Sequence, residues 1–179
     1  MRSLFRTFTS NLVFHMKPLF RLSAFFLVLA ITGSCSKSPA CRGGDEDKGL
    51  IVKDYSMRDF PMCVEAYVNE HQQMVITSEE ELAAIVDSNC INLPEAGYST
   101  VPPEIDFNTH SLLGFWATGR CETKFIREVS ENDTDMKFVY EIKVKECGAC
   151  ESERYDANLV LVPKLPAGYS VDFMIRTDK

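Results

Sequence analysis

The chain has little of what enzymes commonly use for chemistry. Its 179 residues include three histidines and one tryptophan. No Gly-x-Ser-x-Gly turn presents a serine nucleophile. Beyond Cys147-Gly148-Ala149-Cys150, no second Cys-x-x-Cys or His-x-x-x-His completes a four-ligand zinc set. The acidic runs at 79–81 and 151–153 lack the Asp/Gly spacing of a calcium loop. The expectation is therefore no metal and no cofactor. Cations are also scarce: 19 Lys and Arg stand against 26 Asp and Glu, a net charge of −7. That balance argues against nucleic acid as a partner, because phosphate binding needs cationic side chains to displace counterions.

No apolar run reaches the about 20 residues that span a bilayer as a helix. The run Leu22 to Ile31 (LSAFFLVLAI) is preceded by Lys17 and Arg21 and ends in Gly33-Ser34-Cys35. A cationic start, a short apolar core and a small-residue exit form a secretory signal pattern. Segment 1–34 carries four cations and no carboxylate, so its removal takes the net charge from −7 to −11. Gly33-Ser34-Cys35, with Thr32 where an aliphatic residue is usual, resembles the lipobox of bacterial lipoproteins. The resemblance implies a diacylglycerol on the Cys35 sulfur, cleavage before Cys35 and acylation, palmitate included, of the new amino group. It implies a lipid-anchored protein of a Gram-negative cell envelope, and Ser36 in place of an Asp points to the outer membrane. Met16-Lys17 opens a signal of the expected length, so a start at Met16 is expected. Residues 35–49, small, polar and charged, read as a flexible tether that includes Asp45-Glu46-Asp47.

Residues 50–179 read as one β-rich domain. Short strands are expected at Leu50 to Val52, Cys63 to Val68, Met74 to Ile76 and Leu112 to Thr118, the last almost wholly apolar and buried. Thr123 to Val129 and Phe138 to Lys145 form a hairpin in which Phe138, Tyr140, Ile142 and Val144 share the core face. Asn158 to Val162 and Ser170 to Ile175 complete the strands. One short helix is expected after Ser78, where Ser78 and Glu81 fit a capping box and Glu79, Glu80 and Glu81 favour the N-terminal dipole. Asn89 to Asp106, rich in Pro and Gly, should be an irregular loop. The fold class is mainly β within α+β: a β-sandwich or partly open barrel of about seven short strands with one short helix, stapled by disulfides.

With Cys35 acylated, six cysteines remain as disulfide candidates: Cys41, Cys63, Cys90, Cys121, Cys147 and Cys150. A hairpin register pairing Phe125 with Ile142 and Val129 with Phe138 brings Cys121 near Cys147 or Cys150, within the reach of a bridge. Cys63 with Cys90 is the second expected pair. Cys147 and Cys150 also permit a thiol–disulfide oxidoreductase. Glu146, Glu151 and Glu153 oppose that reading, because neighbouring negative charge raises a thiol pKa.

Asp106 and His110 suggest a hydrolase triad only in combination with an exposed serine, and a turn histidine is the simpler reading. His71 reads as a surface loop residue. Trp116 reads as a core residue, or as the wall of a sugar or small-ligand pocket. The order Ile76-Thr77-Ser78-Glu79-Glu80-Glu81-Leu82, Glu104-Ile105-Asp106-Phe107, Leu161-Val162-Pro163-Lys164 and Val171-Asp172-Phe173 resembles the PrcB C-terminal-type domain of bacterial envelope proteins. That family is named for a protein that stabilises a protease complex. The resemblance implies a non-enzymatic module with a protein partner. Where the family has Gly-Gly-Tyr this chain has Thr118-Gly119-Arg120-Cys121, and no functional residue carries over.

Overall fold

The computed structural model describes residues 43–90, 97–120, 122–147 and 152–178, all within the compact unit Lys37–Lys179. Ten strands are described: β1 (Glu46–Gly49), β2 (Lys53–Tyr55), β3 (Gln73–Ile76), β4 (His110–Phe115), β5 (Ala117–Arg120), β6 (Lys124–Asn132), β7 (Lys137–Lys145), β8 (Glu153–Asp156), β9 (Leu159–Pro163) and β10 (Ser170–Asp178). Two helices, α1 (Met62–His71) and α2 (Glu79–Asn89), accompany them.

The middle layer is an antiparallel sheet in the order β2-β9-β4-β3. Its central strands are apolar on both faces, which explains their unbroken hydrophobic sequence. Leu112, Leu159 and Leu161 join Val64 and Val68 of α1 and Leu82 and Ile85 of α2 in one core. Leu113, Phe115, Val160 and Val162 point the other way into a second core. That core is closed by a second sheet, β1-β6-β7-β10, through Phe125, Val129, Phe138, Tyr140, Ile142 and Val144. Helices, sheet and sheet thus form three layers, with the two four-stranded sheets face to face as a sandwich. Gly114 lies on the helix side, where a Cβ would press on Val68 and Leu159, so glycine permits α1 to approach β4.

The hairpin β6–β7 forms with the expected core face. Its register pairs Phe125 with Val144 and Val129 with Tyr140, two residues from the expected one. A slip of two preserves the face of every side chain, so periodicity alone did not distinguish the two registers. Tyr140, buried in this core, donates its hydroxyl to the Asn158 carbonyl at 2.7 Å. Burial pushes its phenol well above the ordinary pKa despite nearby Arg127. Beyond Trp116 and Ala157-Asn158, β4 and β9 give way to the two-stranded ribbon β5–β8.

Several expectations are corrected. Cys63 to Val68 is not a strand but most of α1, so two helices are described rather than one. Pro61 sets the entry to α1, and Cys63, Val64 and Val68 form its buried stripe. Leu50 to Val52 is the link between the sheets: Leu50 N–H donates to Val129 on β6, and Val52 N–H to Leu161 on β9. The last part of the expected tether, Glu46 to Gly49, is a strand running parallel to β6. Gly49 ends it at φ 70°, where a Cβ would strike the Val129 carbonyl oxygen. Residues 35–42 of that tether, and the signal segment 1–34, lie outside the described residues. Among the described residues no helix is long and apolar enough to cross a membrane.

Candidate binding groove

The helix α2 starts as its sequence specifies. The Ser78 hydroxyl accepts from the Glu81 N–H at 3.2 Å, and the Glu81 carboxylate reaches back to the Thr77 N–H at 2.6 Å. This second bond lands one residue before the cap rather than on it. The C-terminal end of α2 is clipped to α1 by the disulfide Cys63–Cys90, with Cα atoms 5.2 Å apart, as expected from the sequence. Leu82 and Ile85 face the core, while Glu79, Ala83, Val86 and Asp87 line an open groove.

The other wall is the segment 101–107. Asp106 caps a turn there: its carboxylate accepts from the Asn108 N–H at 3.0 Å and the Thr109 hydroxyl at 2.9 Å. The Thr109 and Asn108 bonds hold the Asp106 carboxyl below its ordinary pKa. Together the walls enclose about 850 Å3, a volume in the range of binding pockets. Its surface is apolar at Leu82, Val86, Pro102, Ile105 and Phe107, and Val101 stands 67% exposed at its edge. The charged residues lining it are Glu79, Asp87, Glu104 and Asp106, all acidic. The groove therefore offers apolar contact framed by negative charge.

The remaining candidates are placed elsewhere. His110 Nδ1 lies 2.8 Å from the Thr109 hydroxyl, and Asp106 bonds Thr109 rather than the imidazole. Ser111 is fully buried and accepts from the Leu165 N–H at 3.0 Å, so these residues form a turn and not a triad. His71 is the last residue of α1, not a loop residue. It stacks on Tyr67 with centroids 4.0 Å apart, and its Nδ1 is 2.9 Å from the Tyr67 carbonyl. Trp116 packs against the helix-side core and stacks on Tyr155 at 5.4 Å. Cys147 is disulfide-bonded and 2% exposed, and its partner lies outside the described residues, as do Cys35, Cys41, Cys121 and Cys150. Among the described residues no group of three or more His, Cys, Asp or Glu could hold a metal ion.

One cluster had no warning in the sequence. Arg127 on β6 is 4% exposed in the sandwich, with Nε 2.7 Å from Asp47 and Nη2 3.2 Å from Asp54. Arg154 on β8 bonds Asp45 through two nitrogens, one at 3.1 Å, and lies over the Phe125 ring. Lys124 bonds Glu46 at 2.6 Å, which keeps the Glu46 carboxyl below its ordinary pKa. Burial raises Asp47 and Asp156 above theirs, against the opposing pull of Arg127. Each acidic side chain of Asp45-Glu46-Asp47 has its own cationic partner. The network fastens the first strand to the sandwich.

No family model, no curated protein and no solved structure matches this chain. The resemblance to the PrcB C-terminal-type domain thus rests on the quoted sequence segments alone.

Proposed function

We propose that this chain is a lipid-anchored envelope protein whose domain binds another protein, and that the groove between α2 and residues 101–107 is the contact. The observation that carries the binding role is the groove itself, apolar in its middle and acidic at its charged positions. A complementary partner presents apolar side chains flanked by Lys or Arg. Such a surface fits recognition of a protein segment, in which buried apolar anchors supply affinity and charge supplies orientation. The anchor rests on the signal pattern and on Cys35, and the resemblance to a module that stabilises a complex agrees with a binding role.

Two outcomes are expected. Cys35→Ser should abolish palmitate labelling, and continued labelling would refute the anchor. A photo-crosslinking residue at Val101 should yield a discrete protein adduct in membranes of the source cell. Ala83→Arg, which fills the groove and sets a cation among its four carboxylates, should remove that adduct without changing folding. An adduct indifferent to Ala83→Arg would rule out the groove as the contact.

A further inference from the structure

The sandwich ends at β10, a nine-residue strand whose one described neighbour is β7. Ser170 N–H donates to the Met136 carbonyl on the β7 side. In a parallel ladder both backbone groups of a residue face the same way. The even-numbered residues therefore bond β7, and Val171, Phe173, Ile175 and Thr177 turn their N–H and C=O groups to the open edge. Natural proteins blunt such edges with proline, bulges, short strands or charged side chains. β10 has no proline and no bulge, its charges are Asp172, Arg176 and Asp178, and Met174 and Ile175 are 40% and 47% exposed along it.

The sequence of this edge, SVDFMIRTD, is complementary to itself in reverse. Placed antiparallel about Met174, a second copy sets Asp172 against Arg176 and Arg176 against Asp172. Phe173 then meets Ile175, Ile175 meets Phe173, and the two Met174 side chains face each other. The hydrogen-bonding residues agree with this register, since 171 falls opposite 177 and 173 opposite 175. Moving the two-fold axis to Ile175 would oppose Asp172 and Asp178, and moving it to Phe173 would leave both Asp172 and Arg176 without an opposite charge. Within one copy Asp172 already pairs with Lys137 at 2.6 Å, and Arg176 with Glu141 at 3.1 Å. The two-fold arrangement extends these into a row of alternating sign: Lys137, Asp172, then Arg176 and Glu141 of the second copy.

We infer that β10 is a homodimer interface, at which two copies of this chain join their outer sheets edge to edge about Met174. The interface is isologous, so it closes at two copies instead of propagating. It lies on a different surface from the α2 groove and does not depend on what the groove binds.

The test uses the full chain purified in detergent, with sedimentation equilibrium as the readout. Wild type should dimerise reversibly. Asp172→Arg and Arg176→Asp each place like charges at both paired positions and should each weaken the dimer roughly tenfold or more. Mixed together, these two variants recreate both opposite-charge pairs and should recover dimers that neither forms alone. Independently, Met174→Cys should give a covalent dimer on mild oxidation, since the facing Cα atoms at a non-hydrogen-bonded pair approach to about 4.5 Å. Monomeric wild type would overturn the inference. So would variants that dimerise as well alone as mixed, or a Met174→Cys chain that does not cross-link.

Discussion

Asp47→Ala should cost about 3 kcal/mol of folding stability at neutral pH, whereas Asp47→Asn should change it by about 1 kcal/mol or less. Arg127 is nearly inaccessible to water and cannot shed its proton, so its guanidinium must be answered by acceptors inside the sandwich. Burial works against that charge, yet Asp47, Tyr140 and Asp54 together hold the Arg127 pKa above its ordinary value. Alanine removes the acceptor at 2.7 Å and leaves Arg127, among the described residues, with Asp54 as its remaining charged hydrogen-bond partner. Asparagine keeps an oxygen there. The pH dependence has a definite sign. Burial raises the Asp47 carboxyl, so the folded chain takes up that proton more readily than the unfolded chain. That uptake favours folding below the ordinary carboxyl value of 3.8, and the gain is lost as pH rises through the higher folded value. Acidification through this window should raise wild-type stability relative to Asp47→Asn, whose side chain does not titrate. Urea unfolding across pH checks both points, and an asparagine variant as unstable as the alanine one would show that charge, not the acceptor, is what Arg127 needs.

This network marks where the sequence was readable and where it was not. The strands β4, β7 and β9 announced themselves because side-chain burial controls their composition. Phe138, Tyr140, Ile142 and Val144 share one face while Glu141, Lys143 and Lys145 take the other, and Leu159 to Val162 is apolar throughout because both faces are covered. The start of α2 was equally plain, since Ser78 and Glu81 act within one turn of backbone. By contrast, Glu46 to Gly49 is exposed at every residue and has no apolar pattern. What makes it a strand is a set of partners about 80 positions away, Lys124, Phe125 and Arg127, which no local pattern reveals. The helix α1 failed for a different reason. Cys63, Val64 and Val68 suit a buried helix stripe as well as a short strand, and runs of that length are ambiguous without their tertiary neighbours. Of the groove, the α2 wall was legible and the 101–107 wall was legible only as a loop. Their juxtaposition depends on packing over the helix-side core.

Removing the Cys63–Cys90 bridge by the double change Cys63→Ala/Cys90→Ala should lower stability by about 3.5 kcal/mol, the loop-closure value for its span of 27 residues. The bridge joins the first turn of α1 to the C-cap of α2, so its loss acts first on the helix layer. α2 has its Leu82 and Ile85 in the core, but its other side lines open space at Ala83 and Val86. A helix held from one side depends more on its ends, and the amides near Val86 should exchange faster in the double variant than those of β6 and β7. The same loosening reaches the groove, because Val86 and Asp87 lie on the last turns of α2. The crosslink from Val101 should therefore weaken, while the β10 dimer, seated on the opposite sheet, should persist. A double variant within about 1 kcal/mol of wild type, with exchange at α2 unchanged, would show that core packing alone holds the helix. If instead α2 loosens and the Val101 crosslink is lost together, the disulfide is what keeps the groove in its binding shape.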